Sequence, residues 1–182
     1  DVEVPKQEVI LPRKTVIELQ RLLSDVEGAI EMQFANNQAK FVFAGMEFVS
    51  KLVEGKFPDY NRVIPKNHHN RITIGRSALL ATLQRTAILT SDKFKGVRLN
   101  IDPGTLRVAS TNAEQEEAVD ELDIDYAGDS IEIGFNVTYL IDVLINMTQD
   151  MVTLELSDGN SSALFTIPDN TTFKYVVMPM RI

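Results

Sequence analysis

The chain repeats itself, and this constrains its fold more than any other feature. A strand, a helix and three further strands recur in the same order three times. The helices open near residues 13, 76 and 136, a period of about 60 residues. In the first copy, Glu8-Val9-Ile10-Leu11 reads as a strand stopped by Pro12. A helix follows with Val16, Ile17, Leu19, Leu22 and Leu23 on one side. Alternating stretches then run over 29–35, 40–44 and 47–53, punctuated by Asn36-Asn37 and Gly45. The second copy has a strand at 71–75, a helix over 76–89 with Leu79, Leu80, Leu83, Ala87 and Ile88 apolar, and strands at 96–101, 106–110 and 115–124. The third has a strand at 130–134, a helix over 136–147 with Val137, Leu140, Ile141, Val143 and Leu144 apolar, and strands at 151–156, 162–167 and 173–178. Asp102-Pro103-Gly104 and Asp158-Gly159-Asn160 supply turns.

A helix with one apolar stripe must bury it against another layer. Two copies can pack helix on helix between their sheets, giving one α+β domain. Copies two and three are expected to do so over residues 62–182. Copy one, residues 1–61, is then half of such a domain without its mate. It should present an apolar face that the chain cannot cover, as though the sequence began mid-domain.

Charge is distributed unevenly. The net charge is -8, yet residues 1–107 hold 16 Lys and Arg against 12 Asp and Glu, and residues 108–182 hold 2 against 14. A bulk-acidic chain meets nucleic acid only if its cations are segregated on one surface. The first two helices, with Arg13, Lys14 and Arg21, then Arg76 and Arg85, suggest such a surface. Arg13-Lys14 opposes the helix dipole at a helix start, which hints at an external anion. No apolar run is long enough to span a bilayer. No basic-apolar leader opens the given sequence, so no secretory signal is expected in it. Cysteine is absent, which removes disulfides and thiolate chemistry.

Little else in the sequence resembles catalytic equipment. His68-His69 are the only histidines, and their spacing suits a solvated loop better than a metal site. The acids of 114–125 alternate with apolar residues as on a solvated or edge strand. Ser161-Ser162 has no visible activating base. Gly75-Arg76-Ser77 and Gly134-Phe135-Asn136 lack the further glycines and Lys of a phosphate loop. Two stretches remain. Residues 55–63 read either as a Pro-containing linker or as a groove wall. The apolar, Met-bearing end, 176–182, reads either as a last strand on its own core or as one side of a partner groove.

Four phrases carry a resemblance: Leu-Pro-Arg-Lys (11–14), Ser-Lys-Leu-Val-Glu-Gly-Lys-Phe-Pro-Asp-Tyr (50–60), Ile-Gly-Phe-Asn-Val-Thr-Tyr (133–139) and Tyr-Val-Val-Met-Pro-Met-Arg-Ile (175–182). In this order they closely resemble the bacterial sliding clamps, the β subunits of DNA polymerase III. The resemblance implies a DNA-clamp fold of two βαβββ repeats over 62–182, matching the third clamp domain. It also implies the C-terminal half of the middle domain over 1–61. It implies a non-catalytic, cytoplasmic and nucleoid-associated processivity factor with no metal or cofactor. Two full-length subunits would close as a homodimeric ring on duplex DNA without reading its sequence. Polymerase III, other polymerases, the clamp loader and repair proteins would dock short Gln- and Leu/Phe-bearing peptides in one pocket.

Carried over residue by residue, the implied pocket comprises Pro58, Arg62, Val63, Asn136, Tyr139, Ser162, Val176, Val177, Met178, Pro179, Met180, Arg181 and Ile182. Arg62, Asn136 and Arg181 would hold the peptide's polar groups. Arg13 and Lys14 would face DNA. Ile88 and Leu89 would form the ring interface, with Glu114, Glu116 and Glu117 as charged support. The expected departure from the family is truncation, which would leave out the facing wall of the pocket and the surface that Ile88 and Leu89 meet. Ile182 also stands where Leu is expected. A peptide-binding scaffold that never encircles DNA, and a hydrolase built on the carboxylate-rich half, are the competing readings.

Overall fold

The computed structural model describes residues 6–57, 59–66, 68–91 and 94–182. The chain divides into two compact units, Asp1–Asp59 and Tyr60–Ile182.

In the first unit, helix α1 (Arg13–Leu23) is followed by an antiparallel sheet of β1 (Glu31–Phe34), β2 (Gln38–Phe43) and β3 (Met46–Lys51), in that order. Its core is small: Leu19, Ala39, Phe41 and Phe43 are buried, with Leu11, Leu22, Leu23, Val26, Phe48 and Leu52 packed against them. A hydroxyl pair, Thr15 Oγ1 to Ser50 Oγ at 2.6 Å, ties the helix to β3. Val16 and Ile17, read as core-facing, are about half exposed, as are Met32 and Phe34 on β1.

The expected strand at 8–11 forms no ladder here. Among the described residues its one backbone bond to the sheet side is Val53 N–H to the Ile10 carbonyl, 2.9 Å. The second unit supplies the reason. There, helix α2 (Tyr60–Val63) leads to β4 (Asn70–Gly75), α3 (Arg76–Ala87), β5 (Gly96–Asp102), β6 (Thr105–Thr111) and β7 (Glu117–Asp123). Then come β8 (Ile131–Asn136), α4 (Val137–Ile145), β9 (Met151–Leu156), β10 (Ala163–Ile167) and β11 (Asn170–Val177). The two sheets run β11-β10-β9-β4 and β7-β6-β5-β8. Each leading strand therefore pairs with the other copy: β4 with β9, and β8 with β5. The exchange is matched bond for bond at the helix entrances, where Arg76 N–H donates to the Asp150 carbonyl and Val137 N–H to the Lys95 carbonyl, both at 2.8 Å. The first copy has no mate in this chain, so its leading segment has no strand of a second copy to pair with.

Helices α3 and α4 pack on each other and on the sheets. The sheets alternate buried and exposed positions, as in β6, where Leu106, Val108 and Ser110 point inward. The inward residues, with Leu79 and Leu83 of α3 and Leu140, Val143 and Leu144 of α4, form one core. Tyr126 closes its end: its hydroxyl lies 2.7 Å from the Asp129 carbonyl and 2.9 Å from Asn70 Oδ1, two acceptors that share its one proton. Burial raises the Tyr126 phenol above its ordinary value, keeping it a neutral donor. The Pro103-Gly104 turn forms as expected, with Gly104 at φ +82°.

Candidate functional site

The end of the chain is a strap that joins the two sheets. β11 pairs with β10 until Val177 meets Ala163. Beyond it, Pro179 has no N–H to continue a ladder. The chain crosses to the other sheet, where Met180 N–H donates to the Gly134 carbonyl of β8 at 2.7 Å. Gly134 lies opposite Arg98, and Gly96, two residues along β5, lies opposite Asn136. A Cβ on Gly134 would stand 2.5 Å from the Met180 carbonyl oxygen and 2.7 Å from Ile182 Cδ1. A Cβ on Gly96 would stand 3.2 Å from the same Ile182 atom. The two missing side chains make the seat in which Ile182 rests. Beside it, Arg98, Glu132, Gly159, Asn160, Met180 and Arg181 line a hollow of about 580 Å³.

Strand alternation sorts the tail residues. Val176 is half-buried and Met178 is 65% exposed, whereas Val177 is 2% exposed within the main core. Val177 was expected to line the pocket. Its side chain points the other way because successive strand residues face opposite sides. Pro179 and Met180 are half-buried, and Arg181 is exposed.

Two further elements border the strap. Asn136 is the N-cap of α4, and its side-chain oxygen accepts from Thr138 N–H at 2.9 Å. One lone pair of that oxygen is committed to the helix, which leaves the other and the amide NH₂ for the expected polar role. Tyr139, one turn on, is 54% exposed. Tyr175 of β11 lies near enough for Asp142 and Tyr139 to act on it electrostatically. Burial first, then these neighbours, raise its phenol above the ordinary value, so it stays protonated. Tyr175 was not among the expected site residues, although it opens the phrase that carries the resemblance. Its alternation with Val176 and Val177 was the available signal. Ser162 precedes β10 directly, after a turn in which Asp158 accepts from the Asn160 and Ser161 N–H groups at 2.7 and 2.8 Å. These bonds lower the Asp158 carboxyl below the ordinary range.

Arg62 and Val63 lie on α2, with Val63 37% exposed. Pro58 lies outside the described residues. His68 departs from the solvated-loop expectation. Its side chain is 2% exposed, and Nε2 lies 3.3 Å from the Ser162 carbonyl. The carbonyl and the neighbouring Glu155 give the ring polar partners that make burial tolerable. His69 is exposed.

The other expected sites lie elsewhere. Arg13 and Lys14 are exposed at the start of α1, and neither forms an ion pair among the described residues. The cations of α3 are not available in the same way. Arg76 donates to the Leu144 and Gln149 carbonyls at 3.1 and 2.9 Å, tying its helix to the end of α4. Arg85 Nε donates to Asp120 Oδ2 at 2.7 Å. In α1, Arg21 is paired with Glu18. The positive helical surface read from the sequence thus narrows to Arg13 and Lys14.

Ile88 caps the C-terminus of α3 and is 80% exposed, while Leu89 is half-buried. Ser110 Oγ donates to the Thr86 carbonyl at 2.6 Å, and Ser110 pairs with Ala118. This brings the helix end beside the β6–β7 turn, which carries exposed Glu114 and Glu116, and exposed Glu117 at the start of β7. The two groups share one end of the domain, next to edge strand β7.

Comparison with known proteins decides the family. A sequence model for the C-terminal domain of the DNA polymerase III beta subunit matches residues 61–181, and one for its central domain matches residues 1–59. The chain belongs to the DNA polymerase III β-subunit family. A beta sliding clamp of Pseudomonas putida is 48% identical over 97% of this β-subunit chain and 48% of its own length. One from Escherichia coli K12 is 41% identical over 98% of this chain and 49% of its own. The chain spans about half the length of the curated relatives it matches. Among solved structures, a Pseudomonas aeruginosa sliding clamp crystallised with a ligand superposes with a TM-score of 0.87 at 43% identity, over 98% of this chain and 50% of that one. A Caulobacter crescentus polymerase III β structure superposes at 0.88 with 33% identity, over 96% and 47%. No helix among the described residues is long and apolar enough to cross a membrane.

Proposed function

We propose that this chain acts as the C-terminal part of a sliding clamp, a non-catalytic factor that keeps the replicative polymerase on duplex DNA. The observation that carries the reading is the match of two successive β-subunit domains, in order, along nearly the whole chain. Residues 1–61 act as half of the middle domain and 62–182 as the third. Ring closure joins two full-length subunits, with Ile88 and Leu89 in the interface and Glu114, Glu116 and Glu117 beside it. Arg13 and Lys14 meet phosphates without reading bases. The protein works in the cytoplasm, on the nucleoid.

Partners dock through a peptide carrying Gln and Leu or Phe. The strap from Val176 to Ile182 forms one side, without the Val177 side chain, and Tyr139, Ser162, Arg62 and Val63 form the rest. What supports this site is the exposure of Tyr139, Val63 and Met178, large apolar groups in a family that binds partners. Polymerases, the clamp loader and repair proteins share it. The test is primer extension by the replicative polymerase on a long single-stranded template, with loader and the product of the full reading frame. Product length should rise sharply when that protein is added, and unchanged length at saturating protein contradicts the proposal.

A further inference from the structure

The hollow beside the strap holds charge that the proposed function does not use. Its floor is β8 with Arg98 of β5. One wall is the strap from Pro179 to Ile182, and the other is the β9–β10 turn at Gly159 and Asn160. Arg98 and Gly134 alternate with Val97, Leu99, Ile133 and Phe135, all buried in the core. The hollow therefore lies on the sheet face turned away from α3 and α4. Both walls are seated closely. A Cβ on Gly159 would stand 2.3 Å from the Glu132 carbonyl oxygen, as one on Gly134 would stand 2.5 Å from the Met180 carbonyl oxygen. Turn and strap rest directly on β8, and the space between them is preformed.

Two guanidinium groups border the hollow, and neither is fully used. Arg181 is exposed and forms no ion pair among the described residues. Arg98 Nε lies 3.6 Å from Glu132 Oε1, too long for a hydrogen bond. The other Glu132 oxygen accepts from Asn100 Nδ2 at 3.2 Å. Arg98 stands between Gly134 and Ala109 on the neighbouring strands, so no long side chain directly alongside covers it. Glu132 is the one acidic side chain in the lining among the described residues. Asp158 of the turn is committed to the Asn160 and Ser161 N–H groups. The lining side chains thus set two positive charges against one negative. A carboxylate fits this arrangement, because a guanidinium offers its two oxygens a planar pair of N–H donors.

We propose that the hollow is a subsite for an acidic residue: it takes an Asp or Glu of a partner, in the segment next to the peptide docked at the strap, with Arg98 and Arg181 as the groups that hold the carboxylate. This rests on the peptide-docking reading above. Pro179 to Ile182 belong to both places, so a segment leaving the docked peptide enters the hollow directly. A charge-assisted contact at a site this exposed changes affinity about three- to tenfold.

The test uses the product of the full reading frame. Calorimetric titration compares a docking peptide bearing Gln, Leu and Phe, extended at either end by three Glu residues, with the same peptide extended by three Gln. One of the Glu extensions should tighten binding about three- to tenfold over its Gln counterpart, and about 0.5 M salt should erase the gain. The residues of this chain sum to a net charge of -8, which repels an acidic peptide at large. A gain therefore reports a local site. The ratio of the two affinities should fall to one or below in Arg98→Gln and rise in Glu132→Gln. It should stay at the parent value in Arg107→Gln, whose side chain is exposed on β6 but paired with Glu121. No gain from either extension, or a gain that survives Arg98→Gln, overturns the subsite. If no peptide binds at all, the docking reading falls and the hollow is read directly, by titrating triglutamate against protein labelled at its methionine methyls. A shift of the Met180 methyl that is lost in Arg98→Gln upholds the subsite, and no shift overturns it.

Discussion

Replacing Gly134 with Ala should unseat the strap while leaving the domain intact. The new Cβ would lie 2.5 Å from the Met180 carbonyl oxygen and 2.7 Å from Ile182 Cδ1. The first of these is backbone, so the chain itself must move. Movement breaks the bond from Met180 N–H to the Gly134 carbonyl, worth about 1 kcal/mol net. It also lifts Ile182 from its seat. Ile182 is 47% exposed, so about half of a full isoleucine burial is lost, again about 1 kcal/mol. Together these disfavour the seated strap by about 2 kcal/mol, or a factor of roughly 30 in its population. If partners need the seated strap, their affinity falls by up to that factor. The core should not respond. Gly134 has no positive φ, and its neighbours Ile133 and Phe135 keep their inward positions. Calorimetric titration with the clamp-binding peptide reads the affinity, a thermal melt reads the core, and hydrogen exchange at Met180 reads the strap. Affinity within twofold of the parent, with Met180 still protected, would refute this account of how the strap is held.

Four further outcomes are expected. Asp120→Asn removes the partner of Arg85, which lowers the Asp120 carboxyl below its ordinary range. A lowered folded-state value stabilises above the unfolded value and is lost as pH falls through the folded one. The parent should therefore lose up to about 1 kcal/mol more than the variant on acidification below about pH 4, since the pair is partly exposed. Parallel urea melts at pH 6 and pH 3 check this. Ile88→Lys should leave the melting temperature within a degree or two, because a side chain this exposed contributes about 0.5 kcal/mol or less. In the full-length protein it should weaken the dimer at least tenfold by sedimentation, by placing a charge in an apolar contact. Tyr139→Ala should cost peptide affinity about 1–2 kcal/mol with an unchanged melt, as truncation of an aromatic anchor does. Neutralising Arg13 and Lys14 together should shorten polymerase runs and reduce the salt dependence of DNA retention, with peptide affinity unaffected. Unchanged runs would favour the scaffold reading.

The repeat was legible because its signals are local: a change of apolar period from two to 3.6, and turn residues at matching offsets. The exchange of β4 and β8 between copies was not. An apolar alternation shows which face of a strand is buried and says nothing of which strand lies alongside. The same gap explains residues 8–11, whose apolar run reads as a strand although the first unit has no ladder for it. Val177 is legible in principle from alternation with Val176, because neighbouring strand residues face opposite sides. The fates of Arg76, Arg85 and His68 depend on Leu144, Asp120 and Ser162, each far away in sequence. The seat for Ile182 needs Gly96 and Gly134 diagonal to each other on adjacent strands, which the β5–β8 register provides.

A closed ring holds DNA by topology, so retention on circular against linear duplex reports on ring closure. The product of the full reading frame is loaded onto a nicked circular duplex and onto the same duplex linearised. Gel filtration then counts the molecules that stay with each. A ring should stay on the circle and be lost rapidly from the linear form through its free ends. Equal retention on both would contradict ring closure.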